Sequence, residues 1–305
     1  MRITNNMLVN NMMYNMGNNL ERLDRIQQQL ATGKKIATPS DDPIVASRAL
    51  KMRTDVAEIA QYKKNVEDAG SWLEVTESTI SSVGDILQKA RELAVQAGND
   101  ATTQSDKQKI ATEVTQLRSQ IIQLSNTTYA GRYIFSGFKT DETLIDESTG
   151  FYNIEVQKTG AGREDIKYEI GIGDTININA LGSEIFGGAG TAGSTPKMVD
   201  DLDKMIAALN GNDGEQIREA ITDIQSNIDN TLMIRSDIGA RTNRLDLTSN
   251  RLLADESTFT KLMSQNEDAD MAEVIMKLKN EENVYNASLS GGARIIQPTL
   301  VDFIK

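Results

Sequence analysis

Both ends of this chain carry long runs of apolar residues at gaps of three and four, and a glycine-rich stretch with a two-residue period lies between them. The first spacing is that of a helix with one apolar stripe; the second is that of a half-buried strand. Helix out, strands, helix back brings the two ends side by side. The pattern predicts a mainly α fold: an elongated antiparallel helical bundle or coiled coil with a small inserted β-rich domain. Aromatic residues make up only 5% of the chain and hydrophobic ones 39%. Long helices sharing narrow seams need fewer large side chains than a compact globule does.

The first run passes through Met16, Leu20, Leu23, Ile26 and Leu30. Gly33 fits a helix stop, with Lys34 and Lys35 placed for the negative end of the helix dipole. Thr38-Pro39-Ser40-Asp41-Asp42-Pro43 follows. Ser40, Asp41 and Asp42 are capping residues and Pro43 suits the first helical position, so the spacing predicts a sharp joint and a new helix. That helix is the longest pattern, from Val45 to Ala94; about 50 residues at ~1.5 Å each make a rod of roughly 75–80 Å. A turn at Gly98-Asn99-Asp100 leads to a third helix through Ile110, Val114, Leu117, Ile121 and Leu124, expected to lie antiparallel to the second.

From Gly131 the period shortens to two. Tyr152, Ile154 and Val156, then Ile166, Tyr168 and Ile170, then Ile176 and Ile178 alternate with polar residues and predict strands. Thr195-Pro196 reads as the cap and first turn of a further helix, with Met198, Leu202, Met205 and Leu209 on its stripe. After a turn at Gly211 to Gly214, the return helix carries the seven-residue series 217, 224, 231, 238, 245, 252, 259, in which only Thr231 is polar. Asn266 to Asp270 is a polar break. The last run holds Met271, Ile275, Leu278, Tyr285, Leu289, Ile296, Leu300 and Phe303, interrupted by Gly291-Gly292 and Pro298. The expected division is 1–42, an N-terminal assembly arm; 43–131, a helical rod; 132–195, a β-rich outer domain; 196–265, the return rod; and 266–305, a C-terminal assembly arm.

Net charge is −12 with a pI near 4.7. Phosphate binding wants a basic surface, so nucleic acid is not an expected partner. No run of 18 or more apolar residues exists, so no membrane span is expected. The first 20 residues hold a single charge, Arg2, and lack the pattern of a secretory signal peptide; export, if it occurs, takes another route. Cysteine and histidine are both absent. Thiol, disulfide and imidazole chemistry are closed to this chain. No cofactor and no catalytic activity are expected.

The terminal arms are long but carry few large apolar side chains. Ordering them costs more than such sparse burial returns. The expectation is that they order on assembly, with Leu20, Leu23, Ile26, Leu30, Leu278, Tyr285, Leu289, Ile296, Leu300 and Phe303 as the contact residues.

Four stretches resemble a known family. Thr32-Gly33-Lys34-Lys35-Ile36 with Pro39-Ser40-Asp41-Asp42-Pro43-Ile44 resembles the N-terminal region of the bacterial flagellin superfamily. Its Pro-Ser-Asp-Asp-Pro version resembles the branch that joins hook to filament; filament flagellins usually show Ala-Lys-Asp-Asp-Ala. Asn126-Thr127-Thr128 through Gly131-Arg132-Tyr133-Ile134-Phe135-Ser136-Gly137-Phe138 resembles the same branch. Glu267-Asp268-Ala269-Asp270 and Pro298-Thr299-Leu300-Val301-Asp302-Phe303 are similar to the general flagellin C-terminus. The resemblance covers both ends well and residues 140–195 weakly. It implies a structural subunit of the flagellum, exported unfolded through the flagellum's own channel without a cleaved signal peptide. It would form a ring between the first hook-associated protein and flagellin, packing against copies of itself, with an export chaperone on its C-terminal arm. Filament flagellin is the alternative within the family, and a cytoplasmic coiled-coil signalling protein the alternative outside it.

Several short motifs point elsewhere. Ser194-Thr195-Pro196-Lys197 and Lys158-Thr159-Gly160 match boxes of penicillin-recognising acyl enzymes, but in reversed order and without Ser-Asp-Asn. Gly187-Gly188-Ala189-Gly190 lacks the Gly-Lys-Ser/Thr ending of a phosphate loop. Asn210 to Gly214 lacks the spaced ligands of a calcium loop. Asn126-Thr127-Thr128 fits a glycosylation triplet but reads better as a helix end. Met7, Met12, Met13 and Met16 suit either an adaptable partner surface or ordinary seam filling.

Overall fold

A computed structural model describes residues 5–36, 38–99, 102–156 and 163–295. The chain is mainly helical: α1 (Asn5–Thr32), α2 (Pro43–Ala97), α3 (Gln104–Ser125), α4 (Gly182–Ile185), α5 (Lys197–Gly211), α6 (Gly214–Glu267) and α7 (Met271–Ile295). Strands β1 (Thr128–Tyr129) and β2 (Arg132–Tyr133) form one antiparallel pair, and β3 (Lys167–Gly171) and β4 (Asp174–Asn177) another. The chain divides into two compact units, one of residues 1–58 with 254–305, the other of residues 59–253. This division gives the first turns of α2 and the last turns of α6 to the same unit as the two arms.

The second unit holds the core. On α2 the residues Leu73, Ile80, Leu87 and Ala94 recur every seven and are all buried. On α6 the expected series is buried from Ile217 to Leu252, Thr231 included. The two helices run antiparallel. Glu77 pairs with Arg235 at 2.6 Å, and a Cβ on Gly84 or Gly98 would meet Thr231 or Ile217. Buried series with a seven-residue repeat on two antiparallel helices are the pattern of a coiled-coil seam. A second series on α2, Trp72, Thr79, Ile86 and Leu93, is also buried. The Trp72 ring meets Tyr129 edge-on at 5.8 Å.

The third helix pairs with α5. Gln104 donates to the Asn210 carbonyl at 2.9 Å, Lys107 reaches Asn212 at 2.7 Å and Arg118 meets Asp203 at 2.6 Å. Its tie to α2 is the longer Lys89–Glu113 pair at 3.8 Å.

The β part is smaller than its sequence period suggests. Ala130 and Gly131, at φ 50° and 78°, make the tight turn of the first hairpin. The β3–β4 hairpin pairs Lys167 with Asn177 and Tyr168 with Ile176. Residues 151–156 alternate exposed and buried as expected, with Tyr152, Ile154 and Val156 inside, yet they form no strand. Apart from a single bridge to Ile145, their backbone bonds go to loops: Tyr152 N–H to the Ser194 carbonyl at 2.9 Å and Val156 N–H to that of Gly190 at 2.8 Å. Phe135 and Phe186 meet edge-on at 5.7 Å in this small core. Asn126 ends α3 and also pins the next loop, accepting from the N–H groups of Leu144 and Ile145 at 3.0 and 3.1 Å and donating to the Ile145 carbonyl at 2.8 Å.

Two helix borders differ from expectation. The fifth helix begins at Lys197, with Pro196 rather than Thr195 at the cap position and no side chain capping it. The last helix runs without a break through Gly291-Gly292 to Ile295.

Candidate assembly interface

Among the described residues, the unit built from the chain's two ends buries few apolar side chains. Its buried apolar residues are Ala46, Ala49 and Val274 among the described residues. The same unit exposes Met7, Leu8, Met13, Tyr14 and Leu20 on α1, and Met271, Ile275, Met276, Val284 and Leu289 on α7. These side chains lie on more than one side of each helix and are available to another protein.

The two arm helices lie antiparallel. Asn19 donates to the Ser288 hydroxyl at 3.1 Å and Arg22 meets Glu281 at 3.3 Å. The apolar side chains named from the sequence divide between the two faces. Leu23, Ile26, Leu30, Leu278 and Tyr285 are half-buried, while Leu20 and Leu289 stand 43% and 42% exposed. Ile296, Leu300 and Phe303 lie outside the described residues, as do Lys158-Thr159-Gly160.

A joint holds the arms to the long helices. Gly33 sits at φ 68°, the left-handed turn that stops α1, and its N–H bonds the Gln29 carbonyl at 2.9 Å. The chain then pairs with the α6–α7 break. Lys35 N–H donates to the Glu267 carbonyl at 2.7 Å, and Ala269 N–H to that of Gly33 at 2.9 Å. Lys34 meets Asp268 at 2.7 Å and Glu267 at 3.5 Å. Arg53, from the first turns of α2, grips Glu267 through both Nε, at 3.1 Å, and Nη2. The Glu267 side chain is only 3% exposed. The Arg53 hydrogen bond holds its carboxyl below the usual range, against the opposing effect of burial, and Lys34 adds to that. The bond from Lys34 likewise lowers Asp268.

The remaining joint residues are caps and turns. Asp42 accepts from the N–H groups of Ile44 and Val45 at 3.0 and 3.1 Å, directly before Pro43 opens α2. Asp41 accepts from Thr38 N–H at 2.9 Å, and the Ser40 and Thr38 hydroxyls lie 2.9 Å apart. Pro39 lines a shallow cleft with Ile36, Ala46 and Leu50 beside Arg53 and Glu267. Asp270 caps α7, accepting from Ala272 N–H at 2.9 Å. The decoy motifs resolve into similar local roles: Ser194 bonds the Thr191 carbonyl at 2.6 Å within a turn, and Asp213 caps α6. Sequence reasoning missed the Arg53–Glu267 grip; only the position of Glu267 in the polar break hinted at it.

The arms and joint define a mainly helical subunit whose ends pair with each other and leave apolar side chains exposed. Comparison with known proteins agrees. Residues 3–140 match the bacterial flagellin N-terminal helical region, and residues 216–304 the bacterial flagellin C-terminal helical region. The chain is 29% identical to flagellar hook-associated protein 3 of Salmonella typhimurium over 309 residues, covering 94% of this chain and 95% of that one. It is also 29% identical to a flagellin of Bacillus subtilis over 305 residues, 94% of each. Among solved structures, FlgL from Bacillus cereus shares the fold with a TM-score of 0.58 at 22% identity, over 70% of this chain and 99% of that one. The flagellar junction protein FlgL from Legionella pneumophila shares it with a TM-score of 0.56 at 16% identity, over 72% and 100%. The chain belongs to the bacterial flagellin superfamily. It is a structural component of the flagellum, of a family that includes the hook-associated proteins.

Proposed function

We propose that this chain joins hook to filament as one subunit of a ring, with its terminal arms packed inside the assembly and its β-bearing unit outside. The observation that carries this reading is the unit formed by the two ends. Its helices are long, paired and joined by a dense polar joint, yet among the described residues many of their apolar side chains stay exposed. Neighbouring copies of the same chain cover them laterally, the first hook-associated protein meets them on one side of the ring, and flagellin on the other. Residues 1–42 and 266–305 are the assembly arms, and Leu20, Leu23, Ile26, Leu30, Leu278, Tyr285, Leu289, Ile296, Leu300 and Phe303 their contact residues. Before export the C-terminal arm is held in the cytoplasm by a chaperone; the exposed Met271, Ile275 and Met276 give such a partner an adaptable apolar surface. Export runs through the flagellum's own channel.

Immunogold labelling of isolated flagella tests this reading. Label confined to the boundary between hook and filament supports it; label along the whole filament would assign the chain to filament flagellin instead. Seeded polymerisation of pure protein separates the same two, since a filament subunit grows long fibres and a ring subunit does not.

A further inference from the structure

Gly291 and Gly292 lie inside a continuous helix, where glycine is the poorest residue short of proline. The two differ in their surroundings. A Cβ on Gly291 would meet nothing within 4 Å. A Cβ on Gly292 would fall on the terminal methyl of Met12 and 2.9 Å from its sulfur. Gly17, the glycine within α1, likewise has open space around it. Gly292 is buried although it has no side chain, and Met12, half-buried, is what covers it. The next tie along α1 is polar: Asn19, 8% exposed, donates to Ser288, one turn back on α7. A buried Asn in a helical seam favours one register over its neighbours: the Asn19 side-chain carbonyl keeps Arg22 of its own helix, but a shift takes Ser288 away from its N–H groups.

We infer that the arm pair is keyed. The Met12 thioether seats in the gap left by the missing side chain of Gly292, and this socket, with the Asn19–Ser288 bond, fixes which turn of α7 lies on which turn of α1. An evenly apolar seam would let the two arms slide by a turn at little cost. A slide would displace the outward-facing Met13, Tyr14, Ile275 and Leu289 relative to one another and change the surface offered to neighbours. The inference rests on the pairing of the arms and not on which part of the flagellum the chain occupies.

The chain has no cysteine, so an introduced pair is the only one present. Arg22→Cys with Glu281→Cys replaces a partly exposed ion pair, and with it the Arg22 bond to the Asn19 side-chain carbonyl, and reports register through a short thiol-reactive cross-linker in isolated flagella. The pair is expected to cross-link. The Met12 tip is flexible and can yield to one methyl, so a larger side chain is introduced. Adding Gly292→Leu is expected to lower the yield at least fivefold, and adding Met12→Ala on top to restore it to within twofold, because the shorter side chain frees the space that the new one needs. A yield unchanged by Gly292→Leu would overturn the inference, and so would a loss that Met12→Ala does not repair. If Gly292→Leu keeps the chain out of flagella, incorporation becomes the readout: recovery with Met12→Ala supports the socket and failure to recover refutes it. If the parent cysteine pair does not reach flagella, incorporation of the Gly292 variant with and without Met12→Ala, each with Arg22 and Glu281 retained, is the readout, with the same two outcomes; only absence of the unaltered chain from flagella would count against the flagellar assignment.

Discussion

Glu267 gathers the joint around one carboxylate. Arg53 and Lys34 supply its charge partners, and its own backbone carbonyl receives Lys35 N–H. Its carboxyl and that of Asp268 both titrate below the ordinary carboxylate range in the folded chain. A depressed folded value means that their stabilisation is fully present above the unfolded value and is lost as pH falls through the folded one. The joint is therefore expected to hold at neutral pH and to loosen below about pH 4. The readout is amide exchange at Lys35 and Ala269, corrected for the intrinsic rate. At neutral pH, Arg53→Ala is expected to weaken these two bonds by about 1–2 kcal/mol, less than for a fully buried pair because the Arg53 side chain is 56% exposed. Asp42→Ala removes the acceptor that caps α2. It is expected to cost ~1 kcal/mol, read as faster exchange at Ile44 and Val45, with no effect on the seam of the second unit.

The long helices were legible in the sequence because their apolar period repeats over many turns, and the series from Ile217 to Leu252 is buried as that period requires. Leu245→Ala is expected to destabilise the second unit by ~2–5 kcal/mol in chemical denaturation, as for a core leucine. Thr231 is the polar member of the series. Its hydroxyl bonds back to the Asn227 carbonyl at 2.8 Å in its own helix. Thr231→Val keeps the shape and is expected to change stability by less than ~1 kcal/mol in either direction. The Trp72, Thr79, Ile86, Leu93 series escaped notice because a polar residue interrupts it and a second, stronger series runs alongside. Residues 151–156 showed their burial but not their partners, since Ser194 and Gly190 lie in loops far along the chain. The joint was only half legible. Gly33, Asp42 and Pro43 act on their immediate neighbours and follow local rules. Arg53 and Glu267 are 214 residues apart, and no local pattern links them. Gly292 read as a break because its reason, Met12, sits at the other end of the sequence.

At the scale of the molecule, the two units are stabilised in different ways. Among the described residues, 59–253 enclose nearly all of the buried apolar side chains, whereas the unit made of the two ends leaves many of its apolar side chains exposed. Substitutions at these exposed residues should therefore separate folding from assembly. Ile275→Asp is expected to leave the melting of the second unit within ~0.5 kcal/mol of the parent, while the chain disappears from isolated flagella by immunoblot. The most direct test of the account is hydrogen exchange along the full-length chain, first as a verified monomer and then in isolated flagella. We expect slow exchange across the α2–α6 seam in both states, with the arms from Asn5 to Thr32 and from Met271 to Ile295 exchanging fast in the monomer and slowly only in the assembly. Slow exchange throughout both arms in the monomer would contradict the claim that assembly is what orders them.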